Sequence, residues 1–215
     1  MMMNEVQTTL HYVYDPLCGW CYGAAPLLKA AADVASLQIE LHAGGLWLGG
    51  RRQAMGQALR DYVRPHDERI QALTGQPFGE RYFNELLLRD GLLLDSEQPI
   101  RAILAVTSLG GNGLVMLHCI QQSHYRDGIW IGSLEHLTSL AAEQGIAQEA
   151  FVQAYQAVEM ASHLADSQVW MRRLGGQGYP TLGLVQGDKV TPLSASSFLG
   201  EPQAFARHIQ QLMGR

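Results

Sequence analysis

The stretch Thr9-Leu10-His11-Tyr12-Val13-Tyr14 combines β-branched and aromatic residues, the composition of a strand. Asp15-Pro16-Leu17 ends it, because proline brings no N–H to a ladder and restricts the residue before it. Residues 18–35 are rich in Ala and Leu and predict a helix. Residues 37–42, with Ile39 and Leu41 alternating with polar neighbours, predict a second strand. Strand, helix and strand in so short a span make a βαβ unit with a parallel pair. From Trp47 the period becomes helical, over 53–62, 67–73, 80–90, 99–109, 114–126, 134–144 and 148–173, punctuated by glycines such as Gly75, Gly91, Gly128 and Gly145. Ser133 is placed as an N-cap for the helix after it. Strand chemistry returns at Thr181-Leu182-Gly183-Leu184-Val185 and Lys189-Val190-Thr191, which flank the turn Gln186-Gly187-Asp188. Pro202 suits the first position of a last helix running to Met213.

This order, β-α-β, a helical block, then β-β-α, predicts an α/β fold. Residues 1–46 and 176–215 together form a domain built on a four-stranded sheet, and residues 47–175 form a large all-helical insertion. Charge divides in the same way. Residues 47–175 hold eleven basic and fourteen acidic side chains, against one and four in 1–46 and three and two in 176–215. The formal net charge of −5 argues against a binder of nucleic-acid phosphates, and no apolar run approaches the roughly 18 residues of a membrane helix. Met1 to Glu5 contain no Lys or Arg, and polar residues interrupt the apolar stretch that follows. A secretory leader is therefore not expected, and the cytoplasm is the expected compartment.

Three cysteines in 215 residues are too few for a disulfide-stapled scaffold. Two of them, Cys18-Gly19-Trp20-Cys21, follow the first strand and open the first helix. A thiol at a helix N-terminus faces unpaired N–H groups and the positive end of the helix dipole, which favour the nucleophilic thiolate. Cys21, one turn further in, has the spacing to resolve a mixed disulfide formed on Cys18. Cys119 falls mid-helix among Leu114, Leu117 and Ile120 and is expected to act as packing. Asp15 either tunes the pair or receives a proton, or it simply ends the strand. The eight histidines contain no i, i+4 pair, so no metal site on a helix is expected.

Asp15-Pro16-Leu17-Cys18-Gly19-Trp20-Cys21-Tyr22, with Pro26 five residues after Cys21 and Gly178-Tyr179-Pro180-Thr181 before the third strand, resembles the thioredoxin superfamily. The helical insertion resembles its DsbA branch, most closely the cytosolic DsbA-like proteins described as protein-disulfide isomerases. The resemblance implies a thioredoxin-like fold and a thiol–disulfide oxidoreductase or isomerase acting on protein disulfides, with Cys18 and Cys21 catalytic. Gly19, Trp20, Tyr179 and Pro180 then bind substrate. Pro180 is expected in the cis form, Tyr179 offers its backbone to an extended segment, and Leu17, Trp20, Tyr22 and Tyr179 make an apolar rim. Protein thiols and disulfides are the expected partners, with glutathione as a redox partner and no bound cofactor or metal.

Other readings place the same residues differently. The cysteines could form half a zinc site completed by His11, His118, Cys119 or His124, or a structural disulfide. Kappa-class glutathione transferases and hydroxychromene-carboxylate isomerases share the inserted architecture, though they typically carry serine where Cys18 stands and lack the second cysteine. A peptide-binding, chaperone-like module with incidental thiols would keep the groove and lose the reaction. Gly19-Trp20 does not fix the direction of electron flow, since related pairs span about 150 mV.

Overall fold

The central strand is β1 (Thr8–Tyr14), buried along most of its length because it has a partner on each side. β2 (Leu37–Ala43) runs parallel to it, from Thr8 opposite Leu37 to Tyr14 opposite Ala43. β5 (Thr181–Gln186) runs antiparallel on its other side, and β6 (Lys189–Leu193) completes the order β2-β1-β5-β6. Gly187 turns β5 into β6 at φ 58°, a conformation that favours glycine. Pro192 sits in β6, where an edge strand tolerates the missing donor. The computed structural model describes residues 7–214, so Met1 to Glu5, on which part of the leader reading rests, lie outside the described residues.

Helix α1 (Gly19–Ala32) lays Ala24, Leu27, Leu28 and Ala31 on the sheet, and α8 (Pro202–Met213) adds Phe205 and Ile209. Pro202 opens α8 as expected. The fold is α/β: a thioredoxin-like β-α-β … β-β-α frame carrying a helical insertion.

The insertion departs from its sequence reading in several places. Residues 53–54 are not helical: β3 (Gln53–Ala54) pairs antiparallel with β4 (Leu93–Leu94), so the insertion is not wholly α-helical. The two helices expected on either side of Pro65 are one, α2 (Gln57–Thr74). Pro65 is exposed on the solvent face, so its ring and its missing N–H disturb no buried contact. The expected helix over 80–90 contributes a π-helical turn at Tyr82–Leu86. Beyond it come α3 (Glu97–Ser108), α4 (Gly113–Gln121), α5 (Leu134–Ala142), α6 (Gln148–Ala157) and α7 (Met160–Arg173). Asn112 caps α4 through Val115 N–H, and Ser133 caps α5 through His136 N–H. The expected helix over 148–173 divides at Val158, whose backbone is extended. Arg101 stabilises that break by donating to Val158 O at 3.0 Å, a long-range contact invisible to local periodicity.

One apolar cluster joins Leu10 of β1, Leu27 of α1, Ile103 of α3, Met116 of α4, Phe151 of α6 and Phe205 of α8. A second, around Tyr22, Met55, Ile70, Phe78, Tyr82 and Tyr125, fills the space between α1 and α2. Among the described residues, no helix is long and apolar enough to cross a membrane.

Candidate active site

β1 ends beside the start of α1, and the short Asp15-Pro16-Leu17 connection delivers Cys18 to the helix N-cap. Cys18 has extended backbone, and its side chain makes no capping bond. Its carbonyl accepts from Cys21 N–H at 3.0 Å and Tyr22 N–H at 3.1 Å, which closes the first turn around the cysteine pair. Its Sγ lies 3.6 Å from Tyr179 O, so a proton on the sulfur is donated to that carbonyl. Cys18 is 7% exposed and Cys21 is 0% exposed. Burial, above all, holds the Cys21 thiol well above its ordinary range, and its hydrogen bond to Cys18 adds to the effect. Of the two sulfurs, Cys18 is the one open to an outside reagent, whereas Cys21 is sealed.

Tyr179, 161 positions away in sequence, stands against Cys18, and a cis peptide bond joins it to Pro180. The Tyr179 ring covers Gly44, where a Cβ would overlap it. Gly19 and Trp20 are half-buried in the first turn of α1, and Trp20 borders two concavities. One, of about 560 Å³, runs past Tyr179, Pro180 and Pro192. The other, of about 190 Å³, is bounded by Cys18, Trp47, Met55, Asp67, Ile70 and His124. The expected rim needs one correction. Tyr22 is 1% exposed, because its ring stacks on Tyr125 with centroids 4.9 Å apart and its hydroxyl donates to Pro77 O at 2.8 Å. It supports the wall from behind and offers nothing to a substrate.

Asp15 is fully buried and accepts from Leu17 N–H at 2.8 Å, Ser96 Oγ at 3.1 Å and Leu46 N–H. Ser96 Oγ in turn accepts from Trp47 N–H at 3.1 Å. One carboxylate thus ties the cysteine loop to the end of β2 and to the start of α3. Burial raises its pKa to about 6, against the pull of those three donors and of Arg51. Both sequence readings of Asp15 describe part of this: it ends the strand, and its charge also opposes ionisation of Cys21.

Sequence reasoning missed the wall supplied by α2 and its neighbours. Asp67 is 3% exposed and accepts from Tyr82 Oη at 2.6 Å. Burial lifts its carboxyl to about 7. A Cβ on Gly19 would lie 2.5 Å from Asp67 Oδ1, so glycine at that position lets the carboxyl pack against the active turn. His124 is buried and held near pKa 3 by desolvation, and its Nδ1 has no partner. The sequence offers no signal for this, since Asp67 stands beside Glu68 and Arg69 as one more charge of a polar stretch. Cys119 is half-buried on α4 and packs against the main core, its thiol raised by burial. Among the described residues, the side chains of metal-ligand type that converge are His11, Glu40 and His42, and neither Cys18 nor Cys21 is among them.

The chain is similar to the cytosolic disulfide reductase DsbM from Pseudomonas aeruginosa, with 42% identity and a TM-score of 0.89 over 96% of this chain and 98% of that one. The same reductase solved with GSH gives 41% identity and a TM-score of 0.86 over 96% and 100%. A 2-hydroxychromene-2-carboxylate isomerase shares the fold at 17% identity and a TM-score of 0.59, over 96% and 98%. No family model matches the chain, and no curated protein does.

Proposed function

The chain belongs to the DsbA-like thiol–disulfide oxidoreductases of the thioredoxin superfamily, and from that premise we propose that it reduces protein disulfides in the cytosol through Cys18 and Cys21, with glutathione as the electron donor. The observation that carries this reading is the asymmetry of the pair: Cys18 borders a cavity and Cys21 is sealed. Cys18, as thiolate, attacks one sulfur of a substrate disulfide, forms a mixed disulfide and expels the other sulfur as thiolate. Cys21 then attacks Cys18 Sγ, its proton passing to the departing thiolate. The thiolate expelled first takes a proton from water, so the substrate leaves as a dithiol, and the Cys18–Cys21 bond remains. Two molecules of glutathione restore the dithiol and leave as one oxidised molecule.

Trp20, Gly19 and the Tyr179–Pro180 backbone are the proposed substrate contacts. Pro180 has no N–H to close over the cavity beside it, and the Tyr179 carbonyl is released for an extended segment once Cys18 is a thiolate. Residues 1–46 and 176–215 supply the redox frame, and 47–175 shape access to it. The reducing direction, glutathione and the cytosol are supported by the similarity to a cytosolic disulfide reductase whose structure has been solved with GSH.

Cys18→Ser should abolish glutathione-coupled reduction of insulin, and Cys21→Ser should accumulate a Cys18 mixed disulfide visible by mass spectrometry. The pair should equilibrate with glutathione at a potential of about −200 to −230 mV, the glutaredoxin range. A value near the DsbA level of about −120 mV would reverse the assigned direction. Turnover of a small aromatic substrate by Cys21→Ala would instead favour a glutathione-dependent isomerase.

A further inference from the structure

We propose that His11, Glu40 and His42 form a binding site for a divalent first-row transition ion, Zn2+ in the first instance, on the face of the sheet beneath α7. The site is separate from the cysteine pair and does not depend on the redox assignment. Parallel pairing sets His11 opposite Glu40 and Val13 opposite His42, so the three side chains rise on one face of two adjacent strands. His11 Nδ1 lies 2.9 Å from His42 Nε2, and Glu40 Oε2 lies 3.4 Å from the first and 4.0 Å from the second. Zinc bonds of about 2.0–2.2 Å at tetrahedral angles place ligand atoms roughly 3.3–3.5 Å apart, so adjustments of about half an ångström bring these three onto one ion.

Two imidazoles and a carboxylate are the donor set of zinc sites that keep a position open. The imidazoles are 3% and 10% exposed, while the Glu40 side chain is 54% exposed, which leaves the open position on the solvent side. Trp170 of α7 fixes the rings, stacking on His11 with centroids 3.5 Å apart and on His42 at 5.3 Å. His163 is not a further ligand, because its Nε2 accepts from Ala43 N–H at 3.1 Å. Arg173, held over Trp170 at 4.6 Å, is a cation close to the site and keeps the affinity modest. A bound ion would fasten the edge strand β2 to the strand that leads into Cys18. Without an ion, the same atoms make an N–H···N bond between neutral imidazoles, and the experiment separates the two.

Zn2+ is titrated calorimetrically into Cys18→Ser/Cys21→Ser protein, which removes the competing thiols. One ion per chain should bind with micromolar affinity, and His42→Gln or Glu40→Gln should each weaken it about tenfold or more. Co2+ should give visible ligand-field bands without thiolate-to-cobalt charge transfer. Saturating Zn2+ should also raise the unfolding midpoint by a few degrees. Glu40 is exposed, so its variant keeps the test decisive even if His42→Gln fails to fold. No saturable binding below about 100 µM, or the same affinity in Glu40→Gln, overturns the site.

Discussion

At Asp15 a single carboxylate satisfies Leu17 N–H, Leu46 N–H and Ser96 Oγ at once, and two of those partners are remote in sequence. Asp15→Ala strands those three buried donors and should cost about 3 kcal/mol or more in urea unfolding, since each lost partner exposes a desolvation penalty of about 1–3 kcal/mol. Asp15→Asn should cost less, because its amide oxygen still accepts while its NH2 faces a donor. Asp15 beside Pro16 was legible as a strand terminator. Its role as a tie between loop, β2 and α3 was not, because Leu46 and Ser96 reach it only through the folded chain. The place of Cys18 and Cys21 at the start of α1 was legible, since a helix start is a local arrangement.

Among the elements, α2 differs most from its sequence reading. Pro65 suggests a break, yet the helix continues through it with the ring facing water. Replacing Pro65 with Ala restores an N–H donor inside the helix and should stabilise the protein by about 1–2 kcal/mol, the helix gain offset in part by a freer unfolded chain. α2 also brings Asp67 to the active turn. Burial foremost, and the charge of Glu68 after it, raise its carboxyl from 3.8 to about 7, while the Tyr82 hydroxyl opposes the shift. The folded protein therefore keeps a proton that the unfolded chain releases. That contribution to stability is full below pH 3.8 and is lost as pH rises through about 7. Asp67→Asn should flatten the decline in unfolding free energy between about pH 4 and pH 7, measured by chemical denaturation. His124, lowered from 6.5 to about 3 by burial, works in the opposite sense and loses its contribution as pH falls toward 3, so that acid limb should remain in the variant.

Across the whole molecule, the βαβ and ββα ends meet in one sheet, and helices from the block between them enter the same apolar cluster. Deleting residues 47–175 would uncover Leu10, Leu27 and their neighbours, so the joined ends should show no cooperative thermal transition by circular dichroism, whereas the full chain should. The sequence by itself determined the four strands of the main sheet, the β-α-β … β-β-α order of the frame and the place of the cysteine pair at a helix start, because strand alternation, helix starts and a Cys-x-x-Cys spacing are set by residues a few positions apart. Only the tertiary structure decided what surrounds Cys18. Tyr179 reaches it across 161 positions, Asp67 approaches through a helix divided in the sequence reading, and Tyr22 turns inward onto Tyr125. His11 and His42 meet by strand register and not by spacing along the chain. The division follows from the physics: backbone preference is local, whereas burial, hydrogen-bond partnership and cavity shape belong to residues that only the packed core brings together.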